Sequence, residues 1–175
     1  MPENRTSAAI CREKSKLGDY RYVEQLDIRI ECVMVEDEFA HFLKAQDPVY
    51  DQVIAELSQG QKRSHWMWYI FPQIKGLGLS PIARRFAIQS LDQAKRYAAH
   101  PKLGRRLHQC TQPVMQIRGR VVSDIFSYPD DLKFHSSMTL FSLAVPDDPL
   151  FDKVLIKYFD GQKELKTLGI MKIVE

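Results

Sequence analysis

A dense aromatic and basic stretch, KRSHWMWYIFPQ at residues 62–73, holds the side chains best suited to chemistry. It contains both tryptophans of the chain. Aromatic rings stack on nucleobases, and cations near the start of a helix bind phosphate together with free backbone N–H groups. We therefore predict a ligand cleft in which Trp66 or Trp68 stacks on the ligand. The anion would be held by Lys62 and Arg63 of this stretch together with Lys133 from a second segment, and Ser64 is a further candidate ligand-binding residue. The competing interpretation is that these rings form the core.

His65, in the same stretch, is a candidate general base or anion donor. A partner for it is available in DDLKFHSSMTLF at residues 130–141, where Asp130 or Asp131 would orient an imidazole as in a catalytic triad. This second segment also supplies three donors: Lys133, Ser136 and Ser137. The alternatives stay open, because a single histidine is often structural and paired serines also permit close packing of helices. The interpretation leaves open whether the protein is an enzyme.

Several familiar site types are missing from the sequence. It has no GxSxG elbow, Walker A loop or GxGxxG stretch, and no His and Cys spacing typical of zinc, so we predict neither a metal nor a cofactor. Its three cysteines, Cys11, Cys32 and Cys110, are widely spaced, which favours free thiols and a cytoplasmic location. No apolar run approaches the roughly 20 residues of a membrane span, so no membrane partner is expected.

Positive charge is concentrated in the middle of the chain. Residues 62–120 hold twelve Lys and Arg residues against Asp92 alone, a local charge of +11 in a chain whose net charge is +3. Because affinity for phosphate rises with neutralised charge, this segment supports an alternative function. In that alternative, the basic helices of residues 80–120 bind nucleic acid or an acidic protein without catalysis. The other interpretation is that acidic flanking helices neutralise these charges within the fold.

Helical periodicity dominates from residue 37 onward, and the sequence predicts an all-α, compact single domain of about seven short helices over residues 37–175. Predicted helix starts include the cap residues Ser80 and Ser90, Asp47 followed by Pro48, and Ser127 with Asp130. Residues 1–36 form a separate extension. It is either disordered or contains one strand at residues 28–34, which alternates with period two and would pair across a homodimer. The protein is therefore expected to be a monomer or a homodimer.

Three stretches, KRSHWMWYIFPQIKGLGLS, SLDQAKRYAAHPKLGRRL and SYPDDLKFHSSMTLF, resemble a bacterial family of unknown function that is often labelled calpastatin by automatic annotation. The resemblance covers about residues 39–159. It implies an all-helical fold and no established activity. The calpain-inhibitor label does not suit this chain, because such inhibitors are extended and disordered, whereas this sequence has the apolar periodicity of a packed domain.

Overall fold

The computed structural model describes residues 37–172, which form ten helices. They are α1 (Ala40–Gln46), α2 (Tyr50–Ser58), α3 (Met67–Ile70), α4 (Pro81–Arg85), α5 (Leu91–Ala99), α6 (Leu103–Gln116), α7 (Val122–Ile125), α8 (Asp130–Ala144), α9 (Pro149–Phe159) and α10 (Leu165–Met171). The all-α prediction is confirmed, although the count is ten rather than about seven; the short helices α7 and α10 are among those not predicted. The predicted strand lies outside the described residues. The boundary at residues 36 and 37 stays a prediction.

Two of the predicted helix starts are confirmed by side-chain caps. The Ser80 hydroxyl accepts a hydrogen bond from the Ala83 amide at 3.2 Å, and the Ser90 hydroxyl accepts one from the Gln93 amide at 3.2 Å. Each bond satisfies one of the amides that the first turn of a helix leaves without a partner. Pro81 follows Ser80 at the first helical position, where its missing N–H costs nothing.

Other predicted starts are wrong. Asp47 does not cap α2, which begins at Tyr50; it ends α1, and its carboxylate is engaged in ion pairs with α6. Ser127 does not cap α8, since Pro129 stands at the cap position without a side-chain hydrogen bond. Within α6, Pro113 is tolerated in the last turn, and the helix continues to Gln116.

Helix α8 lies at the centre of the domain. It packs against α5, α9, α10, α3 and α7, and it has no polar stripe. Most of its residues are buried, and a helix that is surrounded on several sides needs no amphipathic pattern. Tyr97 on α5 meets Phe141 on α8 with ring centroids 5.6 Å apart, and its other contacts include Phe39 and Phe42. No helix within residues 37–172 has the length and apolar character needed to cross a bilayer.

Candidate ligand-binding site

An ion network joins the two segments from which the site was predicted. Lys62 Nζ lies 2.5 Å from Asp130 Oδ2, and Lys133 Nζ lies 2.7 Å from Asp130 Oδ1. Burial raises the pKa of Asp130, but its hydrogen bonds and charge interactions with the two lysines outweigh this effect and lower the pKa. The carboxylate therefore stays charged at neutral pH. Two cations share one anion, so the network keeps a net positive charge.

The two tryptophans have different surroundings. Trp66 is only 1% exposed and packs edge-on against Phe126, so its ring belongs to the core. Trp68 is half-buried, and Lys133 Nζ lies 4.6 Å from its ring centroid. A ring enclosed in the core has no free face for a ligand. Of the two predicted stacking rings, only Trp68 has surface available.

Glu56, which the sequence interpretation missed, holds the loop that carries the predicted site. Its Oε2 accepts hydrogen bonds from the amides of Arg63 at 2.8 Å and Ser64 at 3.1 Å and from Trp66 Nε1 at 2.8 Å, and its Oε1 accepts one from the Ser64 hydroxyl at 2.6 Å. Burial raises the pKa of this carboxyl, but the hydrogen bonds outweigh burial and lower the pKa to about 2. Ser64 is therefore engaged by Glu56 and does not cap a helix.

Arg63 and His65 are exposed on the same loop. The Arg63 guanidinium donates to Gln61 Oε1 at 3.2 Å and has no ion pair within residues 37–172. The predicted triad does not form among the described residues, because Asp130 is paired with two lysines and Asp131 accepts from the Leu132 amide. Within residues 37–172, the hydrogen bond of His65 is made by its carbonyl, which accepts from the Tyr69 hydroxyl at 3.1 Å. A catalytic role for His65 remains a prediction without an orienting group.

The paired serines of α8 are buried. The Ser136 hydroxyl donates to the Leu132 carbonyl at 3.0 Å and lies 3.4 Å from Glu164 Oε2. The Ser137 hydroxyl is fully buried, and it has no hydrogen-bond partner among residues 37–172. Neither hydroxyl bonds to the Lys62–Asp130–Lys133 network within residues 37–172, since the bonds of Ser136 lead along the helix and toward α10.

Replacing Ser137 by Ala tests whether this hydroxyl has a function. Because a buried hydroxyl without a partner has lost its water and gained no bond, we expect Ser137→Ala to leave the free energy of unfolding unchanged or to raise it by about 1 kcal/mol. Ser136→Ala is the matched control, and it should lower stability by about 1 kcal/mol because it removes a bonded hydroxyl. Urea denaturation measures both. A Ser137→Ala variant less stable than Ser136→Ala would contradict the expectation.

Part of the positive charge in residues 62–120 is neutralised inside the domain. Arg96 pairs with Glu38 at 2.6 Å, Lys102 and Arg106 pair with Asp47 at 2.8 and 2.7 Å, and Lys62 pairs with Asp130. These acids belong to the flanking segments. Several exposed cations have no ion pair within the described part of the chain: Arg63, Lys75, Arg84, Arg85, Arg105 and Arg118.

The structure thus defines a compact all-α domain in which the segments 62–73 and 130–139 meet at the Lys62–Asp130–Lys133 network. Residues 36–171 match the model of a family described as "Protein of unknown function (DUF1810)", and the chain belongs to this family. The structure is also similar to the crystal structure of the conserved hypothetical protein Rv1873 from Mycobacterium tuberculosis, with 46% sequence identity and a TM-score of 0.76. That match covers 78% of this chain and 97% of the mycobacterial chain. No curated protein matches the chain. The resemblance to a family of unknown function is confirmed.

Proposed function

We propose that this domain binds a small phosphate-bearing ligand, nucleotide-like in character, where the segments 62–73 and 130–139 meet. The observation that carries the proposal is the convergence of Lys62 and Lys133 on Asp130. A shared carboxylate holds both ammonium groups in place before a ligand arrives, which lowers the ordering cost of binding. Lys133 and Arg63 would contact the anion, while Ser64, Ser136 and Ser137 act through the packing of the two segments.

Trp68 supplies the second half of the proposed site. Its half-buried ring lies beside Lys133 Nζ, so a ligand that stacks on the ring would place an attached phosphate close to that cation. Stacking of a base on an aromatic side chain contributes about 1–3 kcal/mol. The site therefore favours a phosphate attached to a flat ring over inorganic phosphate alone. An enzymatic step on that ligand, with His65 as the residue to test first, is a further part of the proposal.

Arg63→Ala is the sharpest test, because this exposed side chain can be removed without breaking an ion pair of the described domain. In a thermal-shift screen of nucleotides and sugar phosphates, a ligand at about 100 times its Kd should raise the Tm of the unmodified protein by about 7–10 °C. Arg63→Ala should reduce that rise at equal ligand concentration, since it removes a cation from the site. Arg84→Ala, which removes an equally exposed arginine of α4, is the matched control and should keep the full rise.

The same variants test the alternative, a module that binds nucleic acid or an acidic protein through the basic helices of residues 80–120. Binding to single- and double-stranded nucleic acid, measured at two salt concentrations, should then depend on Arg84 rather than on Arg63. Less positive charge is available for binding nucleic acid, because Glu38 and Asp47 already pair with three of these cations: Arg96, Lys102 and Arg106. Stabilisation by no phosphate compound, with Arg63→Ala unchanged in every assay, would refute the small-ligand proposal.

A further inference from the structure

Two grooves lie side by side between α2 and α6, away from the predicted site. Their volumes are about 490 and 400 Å³, within the usual range of small-molecule pockets of roughly 300–1,000 Å³. Tyr50 and Gln109 line both grooves, and the Tyr50 hydroxyl donates to Gln109 Oε1 at 2.7 Å. The two grooves are therefore neighbours that share one pair of side chains. Neither groove is lined by a residue of the Lys62–Asp130–Lys133 network.

The smaller groove, which we call the basic groove, is lined by three cations: Lys102, Arg105 and Arg106. Asp47 pairs with the first and the third, whereas Arg105 is exposed and has no ion pair within residues 37–172. Three cations against one carboxylate leave an excess of positive charge. The geometry of Arg106 is fixed, because its guanidinium lies 4.5 Å from the centroid of the Tyr50 ring and its side chain is only 12% exposed.

The larger groove, which we call the amide groove, is lined by Gln109, Gln112 and Gln116. Their spacing of three and four residues places them on one face of α6. A glutamine carboxamide donates and accepts at once, and it pairs with the N6 and N7 edge of adenine through two hydrogen bonds. Asp51 also lines this groove, and its negative charge would repel a phosphate there. The same carboxylate is suited to accept hydrogen bonds from ribose hydroxyls. The charge difference between the grooves therefore orients a nucleotide in one direction.

We propose that the two grooves together, called the paired groove below, form a separate binding site for an adenine nucleotide. The phosphates of the nucleotide would lie in the basic groove and its base in the amide groove. Tyr50 lies at the junction, where its aromatic ring contacts the ribose and base region of the ligand. This inference does not rest on the proposed function at Lys62 and Lys133, because the two sites share no residue.

Isothermal titration calorimetry on the full chain tests the site with three probes: ADP, pyrophosphate and adenosine. We expect ADP to bind more tightly than pyrophosphate and adenosine, since ADP alone occupies both grooves. Arg105→Gln should weaken ADP and pyrophosphate about tenfold, the effect of one lost charge-assisted hydrogen bond. Gln112→Leu should weaken ADP about fivefold and leave pyrophosphate unchanged, a difference that a general loss of structure would not produce. Both replaced side chains are exposed, so both variants should fold.

Three results would overturn this inference. If ADP does not bind, or if it binds to Arg105→Gln and Gln112→Leu as tightly as to the unmodified protein, the paired groove is not its site. ADP that binds no more tightly than pyrophosphate, and is unaffected by Gln112→Leu, shows a simple anion site without recognition of the base. A loss of ADP affinity in Arg63→Ala together with no loss in Arg105→Gln assigns the nucleotide to the Lys62–Lys133 site, which would support the proposed function and reject this one.

Discussion

Gly104→Ala is expected to destabilise the domain by about 3 kcal/mol or more. Gly104 lies in the first turn of α6, and a Cβ atom at this position would stand 1.8 Å from the carbonyl oxygen of Ala98 and 2.8 Å from its carbonyl carbon. Both contacts are with the backbone of α5, which cannot rotate away as a side chain would. The two helices must therefore separate to accept one methyl group, and overpacking of this kind typically costs about 1–3 kcal/mol and sometimes more. Thermal and urea denaturation measure the loss.

Gly169→Ala is the matched control for this prediction. Gly169 is also a helical glycine, in α10, but a Cβ atom there would meet nothing within 4 Å. Because alanine loses less backbone entropy than glycine when a helix forms, we expect Gly169→Ala to raise the free energy of unfolding by about 0.5–1 kcal/mol. Opposite signs for the two substitutions would establish that the close approach of α5 and α6, rather than helix propensity, controls the result at Gly104. A Gly104→Ala variant as stable as the unmodified protein would contradict the packing described above.

Local signals in the sequence were sufficient for part of the fold. Ser80 and Ser90 each lie three residues before the amide they cap, so their roles can be read without knowledge of any distant residue. Asp47 carries the same local signal, but distant contacts decide its environment. Asp47 lies against Lys102 and Arg106, more than fifty positions along the chain, and ion pairs replace the expected cap. The sequence does not show which carboxylates have such partners.

In the candidate site, too, some features follow from the local sequence and others depend on distant contacts. The composition of residues 62–73 and 130–139 identified both segments, and the structure brings Lys62 and Lys133 together. Helical spacing predicts that Trp66 and Trp68 point in different directions, but it does not show which ring is enclosed. Contacts with rings such as Phe71 and Phe126 decide that Trp66 is the buried one. Glu56 was missed for a related reason. In the sequence it is one of several acids before the basic segment, and nothing marks it as an acceptor for the loop that follows.

The second large effect is expected at Glu56. Glu56→Gln removes the negative charge and replaces one of two oxygens that both accept hydrogen bonds. Oε2 accepts from the amides of Arg63 and Ser64 and from the indole N–H of Trp66, and Oε1 accepts from the Ser64 hydroxyl. We expect a loss of about 2–3 kcal/mol in the free energy of unfolding, since hydrogen bonds to a charged group are broken and buried donors lose their acceptor. Urea denaturation at pH 7 measures this loss. Asp51→Asn, which neutralises an exposed acid of the same helix, is the control and should change stability by no more than about 0.5 kcal/mol.

Stability measured as the pH falls separates two effects of Glu56→Gln, the loss of the carboxylate charge and a change in packing. The pKa of this carboxyl is about 2 in the folded protein and 4.5 as its ordinary value, so the unfolded chain takes up the proton first as the pH falls. The stabilisation from the charged form is therefore complete above pH 4.5 and is lost as the pH falls from 4.5 toward 2. Other carboxyls with lowered pKa values, such as Asp130 and Glu164, contribute equally to both proteins and cancel in the comparison. The stability difference between the unmodified protein and Glu56→Gln should consequently shrink across this pH range. A difference that stays constant from pH 7 to pH 3 would mean that the glutamine disturbs packing alone and that the carboxylate charge does not hold the loop at residues 63–66.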